Sequence, residues 1–204
     1  MIQSAVNDIS NAAISGFTAA TRVENFSQAF GASVCEAIAI FVAQTRGAGK
    51  IQRALQGFLR GLAIQISVGL GFSVLMHAAG EALVLPFLAG ADWESVAQGA
   101  SYLRMIGWFY FLSFVGHSFV GWYRGNGRMN ITFWGTTIQI TVRVVGTYLL
   151  VGQMELPAVG LSTGLGWMVI VSFQLVVFFL ERKGIWPRPI PQETSSSPAD
   201  KDKE

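Results

Sequence analysis

Five stretches of this chain are each long and apolar enough to cross a lipid bilayer, which leaves few folds open to it. They run from Glu24 to Thr45, Gly57 to Ala78, Ser101 to Tyr123, Asn130 to Gly152 and Ala158 to Leu180. About 20 predominantly apolar residues in a helix span the hydrocarbon core. In hydrocarbon every backbone N–H and C=O must be satisfied inside the fold, which only helices and closed barrels achieve. Barrel strands would show strict alternation over about 10 residues, and these stretches show none. The sequence therefore predicts an all-α membrane protein. Composition agrees: 13% of residues are charged and 51% apolar, whereas soluble domains carry about 25% charge. So few charges cannot cover a water-facing surface, and membrane lipid is the expected surround. The net charge of +2 is too small to draw in nucleic acid.

The charges sort by side. Arg46, Lys50 and Arg53 follow the first strong span, Arg124 and Arg128 follow the third, and Arg182, Lys183 and Arg188 open the tail. The opposite connections carry Glu81, Asp92, Glu94 and Glu155, with no Lys or Arg between Ala79 and Ala100 or between Val151 and Pro157. Cytoplasmic loops hold the excess of Lys and Arg, so the basic loops and the C-terminus are placed inside. Arg22 and Glu24 then fall outside. Residues 1–18 read as a partial first helix: Gln3, Asn7, Asp8 and Asn11 suit lipid poorly, and the segment is short of a full span. Residues 19–181 form the membrane bundle. Residues 182–204, rich in proline, serine and charge, read as a disordered cytoplasmic tail. The N-terminus lacks the basic and apolar regions of a cleavable signal. Cys35, alone in an apolar run, reads as a packing residue.

Candidate functional residues were sought within the spans. "FVAQTRGAGK" (residues 41 to 50) looks like a phosphate loop but lacks the first glycine, the hydroxyl residue after Lys50 and a preceding strand. It reads instead as a helix end, with Gly47 and Gly49 supplying the C-cap. Glu36 lies 12 residues into its span on a small and polar stripe with Gln28, Ala32, Ala39 and Ala43. An intramembrane carboxylate is costly and usually faces a cavity or a partner, so Glu36 is the first candidate for proton or cation coupling. Asp8, beside Asn7 and Asn11, is the second. Arg143, with Gln139 one turn before it, is expected to pair with a carboxylate or carbonyls inside the bundle. His117 shares a face with Ser113 and Gly121, as a packing histidine or a relay. Gln28, His117, Gln139 and Arg143 are the candidate cavity-lining residues. His77 and Glu81, four apart, lack the third ligand of a metal site. Gly57 with Gly61 and Gly160 with Gly164 permit close helix approach. No catalytic set or metal cluster is visible, so the expectation is a non-enzyme without a metal or organic cofactor.

Several phrases, in order, resemble the C-terminal half of the multidrug and toxic compound extrusion (MATE) family. "GFTAATRVENF" is similar to the join between the family's seventh and eighth helices. "FVAQTRGAGKIQRA" resembles its Gln-Asn-x-Gly-Ala-Gly stretch at the cytoplasmic end of helix eight. "YLRMIGWFYF" and "GWYRGNGRMN" resemble helix ten and the loop after it. The resemblance runs from about residue 2 to residue 180. It implies the C-terminal six-helix lobe of a twelve-helix transporter, first helix truncated, with substrate bound between two pseudo-symmetric lobes. It further implies export of cationic or amphipathic drug-like compounds across the plasma (inner) membrane in exchange for H+ or Na+. Glu36 would be a counterpart of the family's carboxylate in helix eight, and Asp8 a loose match in helix seven. Thr45 stands where the family has asparagine, and helix ten carries no carboxylate here. A chain of this length would need a missing N-terminal lobe or partner half, as a fragment, a misplaced start or half of a split transporter. Two alternatives stand beside the exporter: a lipid-linked oligosaccharide flippase lobe, and a non-transporting membrane subunit whose Glu36 and Arg143 only hold the bundle together.

Overall fold

The computed structural model describes residues 11–88, 93–154 and 156–183; Asp8 and the tail from residue 184 lie outside them. The described residues form six α-helices and no strand: α1 Asn11–Gly47, α2 Ile51–Val84, α3 Trp93–Gly107, α4 Tyr110–Gly125, α5 Met129–Met154 and α6 Leu156–Arg182. One 3-10 turn, Leu85–Phe87, closes α2 at Pro86. Three helical segments are long and apolar enough to cross a membrane, Ala12–Gly47, Ile51–Phe87 and Pro157–Arg182. The other two expected spans differ for identifiable reasons. Ser101 to Tyr123 is divided between α3 and α4. The α5 helix has 26 residues, about 39 Å at 1.5 Å per residue, but carries Asn130, Gln139, Arg143 and several threonines.

The expected join at "GFTAATRVENF" is not a turn. A single helix of 37 residues runs through it, because no Gly or Pro between Thr18 and Phe26 supplies a stop signal. Arg22 and Glu24 therefore lie on a helix rather than on a connection. What does end α1 is the predicted glycine cap. Gly49 takes φ 72°, and the Lys50 N–H donates to the Thr45 carbonyl at 2.9 Å, the six-to-one bond of a Schellman turn. The same chemistry ends α4: Gly127 takes φ 72° and the Arg128 N–H donates to the Tyr123 carbonyl at 2.8 Å. "RGAGK" and "RGNGR" are thus equivalent turns on one face of the molecule.

Small residues set how the helices meet. α1 runs parallel to the α3–α4 pair along its length. Gly16 meets Gly99, Gly31 meets His117, Gly121 meets the Cys35 carbonyl, and Gly125 meets that of Ala39. The α3–α4 break falls at Trp108 and Phe109, where Gly107 brings the chain against His77 and Ser73 of α2. At the same level α2 itself kinks, at Ala79 with φ −125° and ψ 23°. Two buried clusters fill the bundle. One gathers Phe17, Met76, Tyr102, Tyr110, Phe114 and Trp167. The other gathers Phe58, Phe119, Trp122 and Phe178, with the Phe58 ring 4.9 Å from that of Trp122. α5 stands at the edge, packed chiefly on α6.

Gly71 faces open space in the middle of α2. Gly71→Ala should therefore stabilise the chain, by about 0.5–1 kcal/mol, since alanine restricts the unfolded chain and fills no occupied volume. A higher thermal midpoint of the detergent-solubilised chain checks this.

Candidate functional site

The polar side chains inside the bundle gather along the α1/α3–α4 seam. At its first level the Tyr102 hydroxyl donates to Glu24 Oε1 at 2.8 Å. The Tyr110 hydroxyl bonds the Ser27 hydroxyl and reaches the Glu24 carbonyl at 3.3 Å. Both tyrosines are fully buried, and Tyr110 stacks edge-on against Trp167 of α6, centroids 5.5 Å apart. The positive charge of Arg143, from α5, acts on both Glu24 and Tyr102. α1, α3, α4, α5 and α6 thus all contribute to one polar cluster.

One turn further along α1, Gln28 and Ser113 exchange hydrogen bonds, Gln28 Nε2 to Ser113 Oγ at 2.9 Å and Ser113 Oγ to Gln28 Oε1 at 3.2 Å. His117 Nδ1 donates to the Ser113 carbonyl at 2.9 Å, its ring lodged against Gly31. From α2, the buried Gln65 donates to the Gly31 carbonyl at 2.8 Å. The predicted face of Ser113, His117 and Gly121 is therefore the face that meets α1.

Glu36 lies further along, at the end of α4. It pairs with Arg124 at 2.5 Å, and both side chains are substantially exposed. The predicted stripe divides: Ala39 is buried, Gln28 is partly buried, and Ala32, Glu36 and Ala43 are exposed with Ala29, Ser33 and Ile40. Gln139 and Arg143 both pack against Gly166 of α6. Arg143 has no carboxylate within ion-pair distance among the described residues, and its Nε is buried without a hydrogen-bond partner. His77 and Glu81 diverge: the His77 ring packs edge-on against Trp108 at 4.6 Å, and Glu81 pairs with Arg104 at 2.7 Å. Among the described residues no group of three or more His, Cys, Asp or Glu side chains could hold a metal ion.

Sequence reasoning missed Glu24, Ser27, Tyr102 and Tyr110. The usable signal was negative: a helix pattern with no stop between Thr18 and Phe26 carries Glu24 into the bundle. Chemically, the cluster places a carboxylate among hydroxyl donors near a guanidinium, an arrangement able to take up a proton or a cation or to orient a charged ligand.

The comparisons with known proteins agree on the family. A family model described as MatE matches residues 1–149. The chain belongs to the MatE family. Solved structures give the same fold. A structure described as MATE in the bent conformation superposes with a TM-score of 0.81 at 18% identity, over 89% of this chain and 40% of that one. An inward-facing multidrug resistance MATE family transporter of the MOP superfamily gives 0.80 at 17% identity, over 89% and 41%. A MOP superfamily transporter from Pyrococcus furiosus Vc1, described as having a binding pocket of reverse polarity that suggests a different function, gives 0.82 at 17%, over 89% and 40%. This MatE chain thus spans about two fifths of the length of the transporters it superposes on. No curated protein matches it. Family and fold make it a multi-pass membrane protein of transporter type.

Proposed function

We propose that this chain is the C-terminal lobe of a multidrug or cation exporter that exchanges substrate for H+ or Na+, with Glu24 as the carboxylate that takes the coupling ion. The chain sits in the plasma (inner) membrane with its two glycine-capped basic turns and its C-terminus cytoplasmic. The observation that carries the role is the contrast between two acids on one helix. Glu24 is held by the Tyr102 hydroxyl inside the bundle and has no ion-pair partner among the described residues. Glu36 is already neutralised by Arg124. A coupling group must bind and release its cation, and a guanidinium at 2.5 Å competes with every other cation for the same oxygens. A carboxylate with only hydroxyl donors around it stays open to exchange.

Relatives described as multidrug resistance transporters support the class of cargo. The exposed face of α1 at Ala29, Ala32, Ser33 and Glu36 is where a complementary lobe would complete a path. Within a transporter completed by that lobe, Glu24→Gln should abolish proton- or sodium-driven efflux of ethidium while leaving membrane insertion intact. Glu36→Gln should keep most of the efflux. Undiminished ethidium efflux in Glu24→Gln would sink the assignment, and loss confined to Glu36→Gln would move the role to Glu36.

A further inference from the structure

We infer that the Glu24 cluster is a dipolar site: Arg143 holds an anionic group of the ligand while Glu24 faces its cationic group, so that zwitterionic amphiphiles are preferred over singly charged ones. The inference rests on the reading of Glu24 given above and adds a second anchor to it. Three observations carry it. The first is that Arg143 brings a fixed positive charge into an otherwise apolar bundle, on a helix stretch reading Ile-Thr-Val-Arg-Val-Val. Placing a guanidinium there is costly unless something faces it.

The second is that its obvious partner is engaged elsewhere. Glu24 lies close enough to feel the charge of Arg143, yet the two do not form an ion pair among the described residues. Glu24 takes the Tyr102 hydroxyl instead. The third is that Arg143 Nε is buried and donates to nothing. A buried donor without an acceptor costs about 1–3 kcal/mol, and more when charged. An anionic oxygen would answer both the charge and the donor, and the planar guanidinium suits carboxylate, sulfonate or phosphate.

The surroundings fit an amphiphile. Tyr102, Tyr110 and Trp167 present aromatic walls beside the two charges, and the Tyr110 and Ser27 hydroxyls are already satisfied by each other. Gly166 leaves Arg143 and Gln139 close against α6 without a side chain between them. The other charged side chains on the helices of this cluster are engaged or distant: Arg104 pairs with Glu81, Arg124 with Glu36, and Arg128 with Glu181. Arg143 and Glu24 are the pair of opposite charges left to a ligand there.

The test uses the purified chain in phosphatidylcholine nanodiscs and isothermal titration with three probes sharing a phenyl body. These are benzyltrimethylammonium, benzenesulfonate and the zwitterion 3-(benzyldimethylammonio)propanesulfonate. The zwitterion should bind about tenfold or more tightly than either singly charged probe, the scale of one charge-assisted contact. Arg143→Met should remove its advantage over the ammonium probe and leave ammonium binding in place. Arg143→Lys should retain part of the preference, which separates lost charge from lost folding. Equal binding of zwitterion and ammonium, unchanged in Arg143→Met, overturns the dipolar site and leaves the Glu24 reading standing. Failure of the ammonium probe to respond to Glu24→Gln overturns both.

Discussion

Gly121→Val should cost the folded chain about 3 kcal/mol or more, enough to leave little of it correctly packed. A Cβ on Gly121 would lie 2.6 Å from the Cys35 carbonyl oxygen and 3.1 Å from the Ile38 Cβ. The first of these is backbone in the middle of a straight helix and cannot swing aside. Overpacking costs typically 1–3 kcal/mol even where side chains can shift. Here the two helices must separate. In lipid that loss is not recovered by hydrophobic burial, because helix association rests on close packing and interhelical hydrogen bonds. The seam has little slack elsewhere, since Gly125 would meet the Ala39 carbonyl at 2.6 Å and Gly16 that of Ser95 at 2.5 Å. Gly116→Ala is the control on the same helix. Its nearest neighbours would stand at 3.8 Å and 3.9 Å, ordinary contact, so alanine should be neutral or stabilise by up to about 1 kcal/mol. Thermal midpoints of the two variants in detergent decide. Comparable midpoints would mean that the parallel seam does not hold the bundle together.

The same seam shows what the sequence made legible and what it hid. The spacing of Ser113, His117 and Gly121 marked one face of one helix, and the structure puts that face on α1. The glycine caps after Thr45 were legible because a left-handed turn leaves a chemical mark in the chain itself. Glu24 was not. Read locally, Arg22 and Glu24 are charges between two apolar stretches, which is what a water-facing connection looks like. The hydroxyl that accommodates Glu24 inside the bundle comes from Tyr102, far along the chain, and no local window contains it. Glu36 erred in the opposite direction. Its distance from the ends of its apolar run placed it near mid-membrane, but that depth was counted along α1 alone. α4 ends beside it and supplies Arg124. The break at Trp108 and Phe109 carries no proline; it follows from how Gly107 fits against α2, a tertiary cause.

These placements also separate two kinds of charge. Those at the first level of the seam stay unpaired and are the ones assigned to function, whereas those at the basic face are paired and hold helices together. Arg128 and Glu181 form an ion pair with both side chains about 14% exposed, tying the turn after α4 to the last turn of α6. Beside it Arg46 bonds the Asn126 side chain, which draws the end of α1 into the same corner.

Arg128→Met should therefore cost about 3 kcal/mol. Removing one partner of a buried pair typically costs 3–5 kcal/mol because the other charge is left without compensation. The lower end applies because Arg46 also acts on Glu181 and offsets part of the loss. The double variant Arg128→Met with Glu181→Leu should recover most of the stability, since replacing a whole buried pair by apolar groups is often neutral. The recovery is then an interaction energy that additive substitutions would not show. Arg104→Met at the opposite face supplies the comparison. Its pair with Glu81 is half exposed, at 52% and 46%, and such pairs contribute about 0–1 kcal/mol. Denaturation of the four variants in one detergent measures all of these terms together. If Arg128→Met and Arg104→Met lose the same small amount, the buried pair is not what fastens α6 to the turn after α4. The corner would then be held by the aromatic contacts of Phe58, Trp122 and Phe178 beneath it.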